Sequence, residues 1–427
     1  MKTFQTREER GISVHVLPTQ MFKKSSIVVT LTTDLQEETA APTALLPYVL
    51  MRGSEQYSTP EKLQMALDDL YGAALSGTID KKGERHVVDF TMQVPNEKYL
   101  STDEPLFEKA LGILSDVIMK PLTENGAFLA ENVKAEIDQH KKRINAVLDD
   151  KMSYANLRCL QELTKGEPYS IPRLGREEEL AKIDGKTLYD RYQQLLKTAP
   201  IHIYVIGDVD PEQVYQHMFE TFNMEREPVT EFRPVQILHE ARTERQVVDR
   251  LDVNQGKLNI GMWTNVEMPS DDYPALVVFN GIFGSYPHSK LFVNVREKHS
   301  LAYYATSRID PLKGVLYVMS GVEVSHFEKA LTIIKEQLDA MRRGEINDEE
   351  FSFTISSLVN DYRTAGDSAT GAADMHLNGL IAGRVRTREE MIEAFQKVTV
   401  DDVVRIAKGV VLDTVYMLRD KGGEAHA

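Results

Sequence analysis

Two side chains in the second half of the chain, Arg296 and Tyr303, could stabilise negative charge on a reacting oxygen. A guanidinium and a phenol are hydrogen-bond donors, and removing one donor aimed at a developing oxyanion typically costs roughly 10²- to 10³-fold in rate. Residues 291–298 have helical periodicity and residues 302–307 are β-prone, so a helix leading into a strand is predicted to position both donors. The alternative is that Arg296 pairs with a neighbouring acid and Tyr303 is a half-buried strand residue.

Metal ligation is a second chemistry to consider, and the spacing of the eleven histidines argues against it. The closest two, His288 and His299, are eleven positions apart, so no helix presents two imidazoles at i and i+4. The nearest substitute is Glu136 with His140 on a predicted helix, followed by three basic residues. A solvated helix pair is the expected role of these two residues, and spacing alone predicts no zinc site.

Other catalytic signatures are absent from the sequence or incomplete. There is no Gly-x-Ser-x-Gly nucleophile elbow. Residues 185–187 (Gly-Lys-Thr) imitate the end of a phosphate-binding loop, but the first glycine of that loop is replaced by Leu180, so a helix start is predicted instead. The single cysteine, Cys159, lies in a helical apolar pattern and is expected to be a buried structural thiol.

Length, charge and cysteine content limit the class of protein. The chain has 427 residues, which is long enough for more than one domain, and its net charge of −15 disfavours partners with a phosphate backbone or an anionic lipid surface. No apolar stretch approaches the roughly 20 residues that span a bilayer, and the start of the chain lacks the apolar core of a signal peptide. One cysteine forbids an internal disulfide. A cytoplasmic protein that binds neither nucleic acid nor membrane is therefore expected.

The pattern of helices and strands that must position these side chains occurs twice along the sequence. The pentapeptide Phe-Glu-Lys-Ala-Leu occurs at residues 107–111 and again at 327–331, and each copy opens an amphipathic helix pattern. Each copy also follows a predicted strand, at residues 88–94 in the first half and 314–322 in the second half. The repetition of element order together with identical residues indicates an internal duplication.

Two more pairs of segments repeat at an offset of 212 residues. Thr187 and Thr399 each look like a helix N-cap with an acidic residue three positions on. Each half then closes with an apolar strand that ends in aspartate, at residues 203–208 and 415–420. The same order of helix and strand is therefore expected at the end of both halves.

The predicted fold class is α+β, with two homologous domains that each pack a mostly antiparallel sheet with helices. The predicted boundaries are residues 1–221 for the first domain, 222–245 for a Pro- and Glu-containing linker, 246–420 for the second domain and 421–427 for a frayed tail.

The segment from Ser289 to Tyr303 carries the most specific resemblance to a known family. It is similar to the S-R-L-F-x-x-x-R-E-K-x-x-L-A-Y segment of the pitrilysin/insulinase zinc metallopeptidases, the inverzincins, and residues 280–284 resemble the family's glycine-containing turn before it. The resemblance extends over essentially the whole chain and is closest to bacterial half-size, two-domain members that pair with another chain. Three further stretches fit: residues 52–54, 70–73 and 203–208.

The family's catalytic motif, His-x-x-Glu-His, is lost in this chain. The resemblance aligns the first histidine with Ala44, the glutamate base with Pro47 and the second histidine with Tyr48. It aligns the third zinc ligand, a glutamate on a later helix, with Arg143. Alanine and proline have no ligating side chain, and arginine is a fixed cation, so no metal and no cofactor are expected in this chain.

The resemblance implies a function in which another chain completes the site. In family members the residues that match Arg296 and Tyr303 bind the substrate carbonyl and help to stabilise the tetrahedral intermediate. The leading hypothesis is a non-catalytic subunit, forming half of a clamshell, of a heterodimer whose homologous partner carries the zinc and cleaves peptides. The competing hypothesis is a homodimeric peptide-binding or scaffold protein without hydrolysis. A chain that is active by itself would need ligands that the sequence lacks.

Overall fold

The structure is a computed structural model that describes residues 3–239 and 243–421. Residues 240–242 of the predicted linker and all of the predicted tail except Lys421 lie outside these ranges. Within them, no helix combines the length and the apolar character needed to cross a bilayer. The chain divides into unit 1, with residues 1–144, 171–233 and 367–377, and unit 2, with residues 145–170, 234–366 and 378–427.

Unit 1 is a mixed sheet with helices, together with a short two-stranded ladder. Its strands are β1 (Gln5–Glu9), β2 (Ile12–Pro18), β3 (Lys24–Asp34), β4 (Ala74–Lys82), β5 (Arg85–Pro95), β6 (Thr123–Glu124), β7 (Ala127–Phe128) and β8 (Ile201–Gly207). Its helices are α1 (Glu37–Leu50), α2 (Pro60–Asp69), α3 (Leu106–Met119), most of α4 (Ala130–Asp149), α6 (Glu177–Leu180), α7 (Gly185–Thr198) and α8 (Pro211–Thr221). The helix α5 (Lys151–Leu163) of the same half of the chain belongs to unit 2.

The main sheet of unit 1 has the strand order β1-β2-β8-β3-β5-β4. Its β2 and β8 run parallel, and every other neighbouring pair is antiparallel. On one face Val29 of β3 lies opposite Phe90 of β5, and both are buried on the side covered by helices. Because side chains alternate across a strand, Thr30 and Asp89 project from the other face.

The sheet of unit 2 repeats the design of the main sheet of unit 1 with one strand fewer. Its strands are β9 (Arg245–Arg250), β10 (Gly256–Trp263), β11 (Ala302–Asp310), β12 (Val315–Val322) and β13 (Val411–Arg419). Besides α5, its helices are α9 (Tyr273–Asn280), α10 (Phe327–Arg343), α11 (Asp348–Ala365), the last residues of α12 (Ala369–Ala382), α13 (Arg388–Lys397) and α14 (Val400–Gly409). Two π-helical segments, Gly281–Ser285 and Phe292–Lys298, precede β11.

The strand order confirms two α+β domains built on one plan. The sheet of unit 2 reads β9-β13-β10-β12-β11, with β9 and β13 parallel and the other pairs antiparallel. The sheet of unit 1 without β1 reads β2-β8-β3-β5-β4, again with its first and last strands in sequence paired in parallel. An order that mixes one parallel pair with antiparallel neighbours is specific enough to identify the two sheets as copies.

The compact units differ from a simple division of the chain at the linker. Unit 2 takes residues 145–170 from the first half, and unit 1 takes residues 367–377 from the second half. The reason is burial: Cys159 of α5 packs with Tyr416 and Leu418 of β13, and Leu163 packs with Trp263 of β10. The boundaries at residues 221 and 246 therefore stay a prediction about the duplicated halves, and packing follows a different division.

Most local predictions are matched by the elements of the structure. Both copies of the pentapeptide open helices, α3 and α10, and Cys159 is fully buried, which raises the pKa of its thiol. Thr399 is the N-cap of α14 and forms a capping box with Asp402. The prediction for Thr187 is wrong, because Asp184 is the N-cap of α7 and its side chain accepts the N–H of Thr187.

Candidate functional site

Helix α1 holds three of the four positions that match the lost zinc motif. Two acidic residues in its first turn favour the helix N-terminus, and the helix continues through Pro42 and Pro47. The carbonyl of Pro47 approaches β4 so closely that a Cβ at Gly77 would lie 3.0 Å from it. Ala44 and Pro47 are buried and Tyr48 is half-buried, with Ala44 and Tyr48 four residues apart on one helix face.

The fourth position, Arg143 on α4, lies against Tyr48. The guanidinium carbon of Arg143 is 3.8 Å from the centroid of the Tyr48 ring, and its two terminal nitrogens each donate to Glu136 Oε2 over 3.2 Å. From the other side Arg52 Nε donates to Glu136 Oε1 over 2.7 Å. A buried glutamate between two arginines therefore occupies the place where α1 and α4 meet.

This arrangement does not fit a zinc ion. A catalytic zinc needs about three ligating side chains and an open position for water. Here the Arg143 guanidinium already supplies the cation beside Tyr48 and is held there by Glu136. Across residues 3–239 and 243–421, no three His, Cys, Asp or Glu side chains come together in a way that could hold a metal ion.

The expectation that Glu136 and His140 form a solvated helix pair is wrong. Glu136 is buried between Arg52 and Arg143, and His140 is fully buried with its Nε2 2.8 Å from the carbonyl oxygen of Leu174. Burial lowers the pKa of His140, so it is a neutral imidazole that donates to this carbonyl. The face of α4 that carries Glu136 and His140 is buried because it is covered by segments that are distant in sequence, around residues 52 and 174.

Glu136→Gln is expected to lower the free energy of unfolding by about 1 to 3 kcal/mol, because two arginines lose the carboxylate that both of them use. Both arginine side chains keep about a third of their surface in water, which limits the loss. Urea unfolding measures the effect. Glu124→Gln, at an exposed strand position, is the control and should leave the unfolding midpoint unchanged. Equal midpoints for both variants would contradict the assignment.

Arg296 and Tyr303 lie in unit 2 and line one groove of about 410 Å³. The segment with Arg296 is helical, as predicted, although its turns are π-helical, and Tyr303 is in strand β11. The chain reverses between them at Ser300, which has a positive φ of 50°. The groove is also lined by Glu297, Leu301, Ala302, Glu323 and His326.

Tyr303 is placed by an irregularity in the sheet. The register between β11 and β12 shifts between Ala302 and Tyr304, so Tyr303 is the extra residue of a β-bulge. Its side chain is 68% exposed, which contradicts the alternative of a half-buried strand residue. Bulges can re-aim a side chain, and here Tyr303 is turned toward solvent.

The Arg296 side chain is also accessible to a ligand. Its side chain is 44% exposed, its guanidinium lies 4.6 Å from the centroid of Phe292, and its Nε is 3.7 Å from Glu297 Oε1. A contact of this length on the surface is weak, so the pairing with a neighbouring acid does not prevent Arg296 from binding an oxygen of a ligand. The groove therefore presents two donors, a guanidinium and a phenol, toward solvent.

Fold and site together define a chain with two α+β units, in which the positions that the resemblance aligns with the zinc motif hold residues that do not ligate. Residues 182–358 match the family model described as "Peptidase M16 inactive domain". The chain is 38% identical over 418 residues to "Probable inactive metalloprotease YmfF" of Bacillus subtilis, with 97% of each chain covered. The chain belongs to the M16 peptidase family, which confirms the resemblance to pitrilysin and insulinase.

Two further comparisons show what else the chain is similar to. The crystal structure of a conserved protein from Enterococcus faecalis V583 superposes with a TM-score of 0.90 at 30% identity and covers 99% of this chain and 100% of that one. "Uncharacterized zinc protease YmxG" of Bacillus subtilis is 22% identical over 308 residues, which cover 70% of this chain and 71% of that one. The family model and the name of the first relative both fit a chain without zinc of its own.

Proposed function

We propose that this chain is the zinc-less subunit of a heterodimeric metallopeptidase that processes peptides. The observation that carries the proposal is the contrast between its two sites. The positions that would hold zinc contain Ala44, Pro47, Tyr48 and Arg143, and the last of these is bound to a buried glutamate. The two donors of the other site, Arg296 and Tyr303, are exposed in one groove.

In this proposal each donor has a defined role at the partner's active site. The Arg296 guanidinium binds the carbonyl oxygen of the substrate, and the Tyr303 hydroxyl donates to the oxyanion that forms when water attacks. Zinc, its water and the general base belong to the partner chain.

The edge of the sheet in unit 2 supports a peptide as the ligand. Strand β11, which carries Tyr303, is the edge strand of its sheet in the described chain. An extended peptide can add to such an edge through backbone hydrogen bonds, which read the backbone more than the sequence. A substrate bound in this way would run beside the groove that holds both donors.

Two relatives from one organism support a pair of unlike chains. Bacillus subtilis has a relative of this chain with the word "inactive" in its name and another that is named a zinc protease. A partner for the present chain would be a homologous chain with an intact His-x-x-Glu-His. Under the competing hypothesis, two copies of this chain would pair and bind peptides without cleaving them.

Reconstitution tests the proposal. The chain is co-expressed with a homologous, zinc-bearing chain from the same genome, and hydrolysis of quenched fluorescent peptides is measured for each chain alone and for the pair. We expect a stable heterodimer and cleavage only by the pair. A stable homodimer that binds peptides, with no cleavage in the presence of any zinc-bearing homologue, would favour the competing hypothesis.

A further inference from the structure

The face of the unit 1 sheet that points away from Phe90 is polar at its centre. Asp89 of β5 lies directly between Thr30 of β3 and Thr78 of β4, and side chains opposite each other in antiparallel strands share a face. Thr91 follows two residues later on the same face. A sheet face that is covered by another element is usually apolar, whereas this one carries a row of hydroxyl groups around a carboxyl group.

The start of helix α12 covers this row and leaves a cavity of about 380 Å³. Asp89 lines the cavity from the sheet, together with Thr78, Thr91 and Tyr204, and Asp374 lines it from the helix. All of these residues belong to unit 1. The cavity can be reached from solvent, because the side chain of Asp374 is 55% exposed.

Asp89 has no partner of its own in this cavity. Within residues 3–239 and 243–421, its carboxyl group accepts no hydrogen bond and makes no ion pair, and the residue is half-buried. The nearby cation, Lys82, is paired with Asp374 and lies 3.7 Å from Asp80. Thr78, which is exposed, and Thr91, which is half-buried, line the same cavity.

The electrostatic balance around Asp89 is negative. Burial raises the pKa of Asp89 to about 7, the carboxylates of Asp80 and Asp374 act in the same direction, and Lys82 opposes them. The other titratable groups on this face include His202 and His376, whose pKa values are lowered to about 4, and His15, whose pKa is lowered to about 3, mainly by burial, so these imidazoles are neutral at pH 7. Burial raises the pKa of Tyr204, which is neutral as well. A buried carboxylate with an excess of negative neighbours gains most from a cation.

We propose that this cavity binds an alkylammonium or guanidinium group that pairs with Asp89. The carboxylate supplies the counter-charge, and the hydroxyls of Thr78 and Thr91 accept the remaining N–H groups of the ligand. The cavity shares no residue with the groove of Arg296 and Tyr303. This binding site therefore stands whether or not the chain takes part in peptide cleavage.

Capped amino acids test the charge requirement directly. Titration calorimetry compares N-acetyl-arginine amide and N-acetyl-lysine amide with N-acetyl-citrulline amide, which has nearly the shape of the arginine compound but no charge. We expect binding of the two cations and none of the citrulline compound. Equal binding of arginine and citrulline compounds would overturn the proposal, as would no binding of either cation at millimolar concentration.

Asp89→Asn tests the residue. We expect the affinity of the variant for the arginine compound to fall by a factor on the order of ten or more. The neutral amide keeps the shape of the side chain and loses its charge. Asp138→Asn removes the same charge from an exposed position on α4 and should bind like the unmodified chain. Undiminished affinity in Asp89→Asn would overturn the assignment.

The pH dependence gives a second readout. Because the pKa of Asp89 is about 7, its ionised fraction rises as the pH rises from 6 to 8, and affinity for the arginine compound should rise about tenfold over this range. Asp89→Asn should lose this dependence. A thermal unfolding measurement checks that the Asp89→Asn variant is folded. Because the pKa of Asp89 is raised in the folded chain, ionised Asp89 destabilises the fold above pH 7. The variant should therefore unfold at a higher temperature than the unmodified chain at pH 8.

The cation could come from a free small amine or from a basic side chain of a peptide. A blocked pentapeptide with arginine at its centre distinguishes these sources when it is compared with the single capped residue. Tighter binding of the pentapeptide, with loss on replacement of arginine by citrulline, identifies a peptide side chain. Equal affinities for the two ligands identify a site for small organic cations. Both results require Asp89 and both support the cation site.

Discussion

Arg296→Ala and Tyr303→Phe are each expected to lower cleavage by the reconstituted pair by roughly 10²- to 10³-fold, because each change removes one donor to the oxyanion. For Tyr303→Phe the loss should appear in kcat more than in KM, since this donor acts on charge that forms during the reaction, whereas Arg296→Ala should also raise KM, because Arg296 binds the carbonyl of the bound substrate. Folding should be unaffected, because Tyr303 is 68% exposed and the Arg296 side chain is 44% exposed. Steady-state kinetics with a fluorescent peptide measures the effect.

Matched controls separate this effect from a general change in the surface. Arg308→Ala removes an exposed arginine from the same strand, β11, and Tyr99→Phe removes an exposed tyrosine hydroxyl in unit 1. Both controls should cleave like the unmodified pair. Full activity in both Arg296→Ala and Tyr303→Phe would refute the role of this chain as a donor in trans, even if the heterodimer forms.

Rebuilding the zinc motif is expected to create a metal site where α1 and α4 meet. The variant Ala44→His, Pro47→Glu, Tyr48→His and Arg143→Glu restores the three ligands and the base that the family alignment places at these positions. Positions 48 and 143 are in contact, because the Arg143 guanidinium lies 3.8 Å from the centroid of the Tyr48 ring. We expect about one zinc per chain by elemental analysis after dialysis.

A variant with only the three α1 substitutions is the control. It keeps the Arg143 guanidinium in place, and a fixed cation at that position should exclude a second one. We therefore expect little zinc in this control. If the fourfold variant folds and also contains no zinc, the alignment of Ala44, Tyr48 and Arg143 with the family's ligands is wrong.

The family and the repeated fold could be predicted because their signals are local. The amphipathic pattern after the two pentapeptides is set by residues that are neighbours on one helix, and both helices, α3 and α10, have this character. The alternation around Phe90 and Asp89 likewise defines a strand, β5, without reference to the rest of the chain. Such patterns determine which face of an element is apolar.

Pairings between distant segments could not be predicted in the same way. The sequence indicated that Glu136 is exposed on a helix, and only the fold shows that Arg52, 84 residues away, binds it. The spacing of the histidines excluded a helical pair of imidazoles, yet His15 and His202 lie on adjacent strands with Nε2 and Nδ1 3.1 Å apart. Local periodicity contains no information about which segment covers a polar face.

By itself, the sequence therefore determined the class of this protein, two α+β copies of the M16 peptidase family, and it predicted a lost zinc motif and a retained arginine and tyrosine. The tertiary structure decided what these residues can do. A β-bulge exposes Tyr303 beside the groove of Arg296, a buried carboxylate binds Arg143, and the start of α12 lies over Asp89. The physical reason is that secondary structure follows from neighbours in the chain, whereas burial and charge compensation depend on segments that only folding brings together.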